Sequence, residues 1–275
     1  MARVTLEKRP AVPGLVPEAL VLAPRVSDGQ PPVLAVHGIQ REAAEMAELL
    51  RHAAEDTGRT IVLPLFDRRH WRSFQRAACP ARADLALLRL LASLREDGTI
   101  VPGAVDLSGY SGGGQFAHRF TWLYPGLVRR LCATAPGWWT FADPKAAYPY
   151  GIGAGGGDTV STCLRANLRR FLSREIVVRV GALDTQRDDK LRVSPELDQQ
   201  QGQNRLERAQ RWVADIERQR TAHGLSSAVD FRVLPDSAHS FADCVAQAGL
   251  DRDFVVPSPA CVPAFSQNSL TKEVA

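Results

Sequence analysis

The sequence predicts an α/β fold, a mostly parallel central sheet with helices on both faces. Three observations carry that expectation. Short apolar runs bounded by proline and glycine alternate with longer amphipathic stretches, the rhythm of strands joined by crossover helices. The length, 275 residues, suits a single α/β domain, and no internal repeat or shift of composition marks a boundary. Apolar residues make up 45% and charged residues 23%, the balance of a soluble globular chain.

The elements follow in order. Residues 31–38, PPVLAVHG, are a continuous apolar run between prolines and a glycine, which reads as a buried strand. REAAEMAELLRHAAED (41–56) sets Ala44, Met46, Leu49, Leu50 and Ala53 at helical spacing. TIVLPLF (60–66) is the next strand and ARADLALLRLLASLRED (81–97) a strongly periodic helix. GAVDLSG (103–109) is a strand, a helix runs through GGQFAHRFTWLYP to Pro125, and VRRLCATAPG (128–137) is again a strand. EIVVRVGALD (175–184) adds a strand, QNRLERAQRWVADIERQRTAHG (203–224) a long helix closed by Gly224, and AVDFRVLP (228–235) the last strand. Residues 137–174 break the rhythm. They open GWWTFADPKAAYPYGIGAGGGD, end in an amphipathic helix, and are too long for an ordinary loop. The segment reads as a functional insertion or as local disorder. The polar, proline-containing tail from about 251 takes no assignment.

The composition excludes several classes of function. The net charge is +4, the basic residues are overwhelmingly arginine, and they are scattered rather than blocked. That pattern argues against a nucleic-acid partner. The five cysteines (Cys79, Cys132, Cys163, Cys244, Cys261) show no CxxC or metal spacing. Their odd number favours free thiols in a reducing compartment. No apolar run approaches the roughly 18 residues of a membrane span, and the N-terminus has no uninterrupted apolar core of a secretion signal. A cytoplasmic protein with no membrane partner is the expectation.

The stretch VDLSGYSGGGQF (105–116) carries the chemistry. A linker would not follow a buried strand and open a helix. Strand, Gly109-Tyr110-Ser111-Gly112-Gly113, helix is the context of a nucleophile elbow, in which a strained serine is lifted above the sheet. Gly109 and Gly113 let strand and helix approach closely. The helix N-terminus directs its free N–H groups toward a developing oxyanion.

A serine hydroxyl needs a base. Of the six histidines, His52 and His223 sit on or beside helices as solvated residues, His118 lies two turns down the helix from Ser111, and His70 can at most line the mouth. His239, in VLPDSAHSF after the last strand, lies in a polar loop at the sheet's carboxyl edge, where catalytic groups gather in such folds. It is the expected base. Asp184, after the preceding strand in VVRVGALDT, is the expected carboxylate, with Asp143 in the insertion as the alternative. Asp188 and Asp189 read as solvating residues. The oxyanion donors are expected at Gly112 and, from the turn His37-Gly38-Ile39-Gln40, at Ile39 or Gln40, with His37 as a structural hydrogen-bonding residue.

With these residues in that order, the chain resembles the α/β-hydrolase family over about residues 30–248. HGIQREAAEMAELL, GYSGGGQFAHRF, APGWWTFAD…YPYG and QGQNRLERAQRW are similar to a group of bacterial esterase- or depolymerase-type hydrolases. Gly114 and the Gln40-Arg41 pair depart from a plain lipase pattern. The resemblance implies an α/β-hydrolase fold with 137–174 as a small cap insertion. It implies a serine hydrolase that cleaves a carboxylic ester without cofactor or metal.

The insertion holds Trp138, Trp139, Phe141, Tyr148 and Tyr150. These rings read either as local core or as a cap wall, with Trp138, Trp139 and Tyr150 the substrate-binding candidates. The insertion is too short for a large lipase lid, so the expected partner is a small or medium ester. A peptidase or amidase could use the same three residues, and a silent binding protein on this fold would usually lack one of them. Ser111 stands where a dehalogenase or epoxide hydrolase needs aspartate. The oligomeric state stays open, a homo-oligomer included.

Overall fold

Eight strands form one sheet in the order β1-β2-β4-β3-β5-β6-β7-β8 in the computed structural model, which describes residues 4–27, 29–78, 80–154 and 159–256. Cys79, Cys261, residues 155–158 of the insertion and the tail beyond 256 lie outside the described residues. The six apolar runs become β3 (Val33–Val36), β4 (Ile61–Leu65), β5 (Val105–Tyr110), β6 (Val128–Thr134), β7 (Glu175–Gly181) and β8 (Asp230–Leu234). All six run parallel, with pairs such as Ala35 to Ser108 and Ala133 to Val178. β1 (Val4–Arg9) and β2 (Glu18–Pro24) add an antiparallel edge on β4.

The crossovers supply α1 (Ala43–Thr57), α2 (Ala83–Glu96), α3 (Gly112–Leu123), α4 (Thr159–Leu172), and α5 (Pro195–Gln201) with α6 (Arg205–Ala222). α7 (Phe241–Ala248) and α8 (Leu250–Val255) close the described chain. The pleat of β5 shows why both faces need cover. Asp106 and Ser108 point toward α8, where Ser108 Oγ donates to the Phe254 carbonyl at 2.8 Å. Gly109 faces α3 on the other side, next to Gly113. α7 and α8 pack with α1, while α3 packs with α4 and α4 with α6. Both faces of the central strands are therefore buried, the polar Asp106 and Ser108 of β5 included.

α4 is the crossover between β6 and β7, and residues 137–154 ahead of it are irregular. Trp139 anchors that stretch by exchanging backbone hydrogen bonds with the Gln201 side chain at 2.8 and 2.9 Å. Among the described residues, Cys132, Cys163 and Cys244 are free thiols, and no helix is long and apolar enough to cross a membrane.

Candidate active site

β5 ends at Tyr110, and the chain turns at once into α3 through Ser111, which holds φ 52° and ψ −113°. That conformation is costly for a residue with a side chain and persists where the surroundings enforce it. They do so here. A Cβ at Gly109 would overlap the Gly113 carbonyl, and a Cβ at Gly113 would overlap the Val36 carbonyl. Strand, turn and helix are closer together than any other residue permits.

The loops after β7 and β8 meet over the same edge. Leu183 donates its N–H to the Ser237 carbonyl at 3.0 Å, and a Cβ at Gly181 would overlap that same oxygen. This approach sets Asp184 beside His239. His239 Nδ1 lies 2.7 Å from Asp184 Oδ2, and Nε2 lies 3.0 Å from Ser111 Oγ. The carboxylate can only accept, so Nδ1 carries the proton and Nε2 is free to accept from the serine hydroxyl. The structure brings Ser111, His239 and Asp184 into one hydrogen-bonded chain. Asp143 is elsewhere, with Oδ1 accepting from the Lys145 N–H at 2.8 Å.

Two supports of this chain have no sequence signal of their own. The Tyr110 ring stacks on His239 with centroids 5.2 Å apart, and Phe241 meets Tyr110 edge-on. Arg205, buried at the start of α6, reaches Asp184 at 3.3 Å and Asp188 at 3.0 Å. Asp188 is thus part of the acid's support as well as a solvated loop residue. Burial raises its carboxyl, and the Arg205 hydrogen bond and charge more than reverse that, holding it below the ordinary range.

The turn after β3 lies beside the first residue of α3. Gly112, first residue of α3, has no carbonyl within the helix to receive its N–H. Its Cβ position would lie 3.2 Å from Ile39 N, so the Gly112 and Ile39 backbones are close neighbours. The Gly38 carbonyl is held by His37 Nδ1 at 2.8 Å and by the Arg41 N–H at 3.1 Å. An N–H points opposite to the carbonyl of its own peptide, so these two donors fix the direction of the Ile39 N–H. Arg41 Nη1 holds the Ile39 carbonyl at 2.7 Å and fixes the Gln40 N–H in the same way. His37 is the structural residue expected. Its Nε2 accepts from the Phe66 N–H at 3.0 Å, and burial pushes its pKa down to about 4.

A cavity of about 300 Å³ opens at Ser111 and His239, with Ile39, Gln40, Glu42, Glu45 and Lys190 in its wall. None of the three expected substrate-binding rings lines it. Trp139 is a correction: it is fully buried, packed against His118 of α3 and stacked on Trp212 of α6 at 4.2 Å, where the ring surface it buries outweighs an indole N–H left without a partner. Trp138 is nearly buried, with the Arg119 guanidinium 4.1 Å over its ring and Tyr150 at 5.0 Å. Tyr150 lines a separate cavity with Arg192 and Glu196. His70 pairs with Asp67 at 3.0 Å. Among the described residues, no group of His, Cys, Asp and Glu could hold a metal ion.

No protein-family model matches the chain, and no curated protein matches it in sequence. Solved structures do match. A poly(aspartic acid) hydrolase from Sphingomonas sp. KT-1 superposes with a TM-score of 0.76 at 21% identity, covering 92% of this chain and 98% of that one. A poly(3-hydroxybutyrate) depolymerase from Bordetella parapertussis gives 0.71 at 22% identity, covering 91% and 94%. An S-formylglutathione hydrolase from Staphylococcus aureus gives 0.58 at 11% identity, covering 92% and 96%.

Proposed function

The chain has the α/β-hydrolase fold, and on that frame we propose that it is a serine hydrolase cleaving a small or medium carboxylic ester. The observation that carries this reading is the hydrogen-bonded chain from Ser111 Oγ through His239 to Asp184. The names of the similar structures, hydrolases and a depolymerase, support it.

Each residue then has a role. Ser111 Oγ bonds to the ester carbonyl carbon while His239 Nε2 takes the hydroxyl proton. The carbonyl oxygen becomes an oxyanion that accepts from the Gly112 and Ile39 N–H groups, with Gln40 the alternative second donor. The tetrahedral centre collapses, the C–O bond to the alcohol breaks, and the alcohol oxygen takes the proton from His239. Water next attacks the acyl carbon, gives its proton to His239, and Ser111 leaves with that proton restored. Asp184 holds the imidazole tautomer and stabilises the imidazolium throughout. We read the chain as one α/β domain with 137–174 as a small cap insertion, a reading supported by the Trp212 Nε1 hydrogen bond to the Thr140 carbonyl at 2.8 Å.

A fluorophosphonate should label Ser111 stoichiometrically, and Ser111→Ala should abolish labelling. Turnover should fall to the residual catalysis of about 10³-fold over water that binding and the oxyanion donors supply. Labelling that survives the substitution overturns the reading. A panel of p-nitrophenyl esters of graded length beside p-nitroanilides separates esterase from amidase.

A further inference from the structure

Beyond the Ile39-Gln40 turn lies a second cavity of about 530 Å³. Its wall shares Ile39 and Gln40 with the cavity at Ser111 and adds Arg41, Arg68, Arg72 and Phe74. The two cavities adjoin along these two shared residues, while Ile39 and Phe74 close over Gly112, where a Cβ would lie 2.6 Å from Ile39 Cγ2 and 3.4 Å from Phe74 Cζ.

The two walls differ in charge. Glu42 and Glu45 face the first cavity against Lys190 alone. The second has three arginines and no carboxylate. Arg68 and Arg72 are exposed, and their guanidinium groups have no ion pair or hydrogen bond among the described residues. Asp67, the acid on the same loop, is occupied by His70. Arg41 spends its guanidinium on carbonyls, and burial together with the Arg68 charge, opposed in part by Asp67, holds it below its ordinary pKa. A further cation lies behind the wall. Arg119 is fully buried, donates to the Gln75 carbonyl at 2.7 Å, has no carboxylate partner among the described residues, and leaves Nη2 unpartnered. Several uncompensated positive charges around one concavity favour an anion there.

The position of His239 decides which part of the substrate this anion belongs to. As the proton donor to the departing alcohol, His239 must face the leaving group. It lines the first cavity and not the second. The alcohol therefore belongs with Glu42 and Glu45, and the acyl chain extends over Ile39 and Gln40, which line both cavities, toward the second. Resting on the hydrolase reading above, we propose that the natural substrate's acyl group carries a distal carboxylate, bound by Arg68 and Arg72.

The test compares p-nitrophenyl hemiesters of the dicarboxylic acids from succinic to suberic with the methyl-capped diester of each, which differs by the one charge. For at least one length, kcat/KM should favour the hemiester by about tenfold, the size of one hydrogen bond to a charged group. Added salt should reduce that ratio. In the double variant Arg68→Gln/Arg72→Gln the ratio should collapse toward one, while Arg69→Gln, on the same loop outside the wall, should retain it. A ratio near or below one at every length overturns the inference, as does a ratio untouched by the double variant. So does a preference for 4-acetoxybenzoate over its methyl ester, which would put the carboxylate on the alcohol side. Hydrolysis of the neutral diesters and fluorophosphonate labelling report on the hydrolase reading separately. If both are present without a charge preference, this inference alone fails. If both are absent, the two fail together.

Discussion

His37 and His118 solve one problem in two places. Each ring sits between a backbone N–H that donates to Nε2 and a backbone carbonyl that accepts from Nδ1. For His37 these are Phe66 at 3.0 Å and Gly38 at 2.8 Å; for His118 they are Thr140 at 3.1 Å and Gly114 at 3.0 Å. Burial holds both below the ordinary histidine range, His37 at about 4 and His118 well below 6.5. Protonation would also set a new N–H against an existing donor. The unfolded chain takes up these protons near pH 6.5, and the folded one resists them down to about 4. Stability is therefore complete above about pH 6.5 and is lost as the pH falls toward 4, by about 3 kcal/mol for His37 alone. Urea unfolding followed from pH 7 to 4.5 should show that decline, with proton uptake on unfolding. A flat profile would mean that these rings are charged in the fold. At this scale the sequence pointed to Ser111, His239 and Asp184, with Asp143 kept as the alternative acid, because few residues of the needed chemistry follow the right strands; the structure brings the first three together. Tyr110 and Arg205 touch them through contacts that no local pattern announces.

Among the elements, the junction of β5 with α3 is under the tightest steric control. Gly109 and Gly113 face backbone carbonyls that a Cβ would overlap. Gly114 is less constrained, with the Pro136 side chain and the Thr134 carbonyl each 3.0 Å from its would-be Cβ. The departure from a plain lipase pattern thus lies at the least demanding of these three positions. Gly114→Ala should fold with a loss of about 1–3 kcal/mol, the cost of modest overpacking. Gly113→Ala should lose more and abolish fluorophosphonate labelling of any soluble protein, because the elbow cannot close. Thermal melts and labelling of both variants check the ranking, and equal losses would show that the backbone yields where the contacts say it cannot. The central strands β3 to β7 were legible because strands buried on both faces write themselves as largely apolar runs, and edge strand β8 was legible from its flanking residues and place in the alternation. β1 was not, since its sequence VTLEKR is mostly exposed and charged at the sheet edge. α7 and α8 are short and take their identity from packing on α1.

Over the whole molecule, the arginine-rich composition finds much of its use inside the fold. Arg119, Arg130, Arg205, Arg208 and Arg220 are among the largest fully buried side chains. Scattered arginines in a sequence suggest solvated helix faces, and nothing local says which guanidinium will meet a carboxylate or a carbonyl far along the chain. Asp106 is the clearest case. It lies in the middle of β5, fully buried, with Arg59 at 2.7 Å and Arg129 Nε at 2.8 Å. Arg59 also donates to the Pro31 and Val255 carbonyls, tying β5 to the start of β3 and to the end of α8. The two cations differ in burial, since Arg59 is nearly sealed and Arg129 is 27% exposed. Removing the acid takes its Asp106 counter-charge from a guanidinium that is nearly sealed in the core. Removing Arg129 leaves Asp106 still paired. Asp106→Asn should therefore cost about 3–5 kcal/mol. Arg129→Gln should cost under about 1 kcal/mol, the worth of a partly solvated pair. Urea unfolding of the two variants measures the difference directly. Comparable losses would mean that water reaches Arg59 and that the centre of the sheet is less dry than its packing implies.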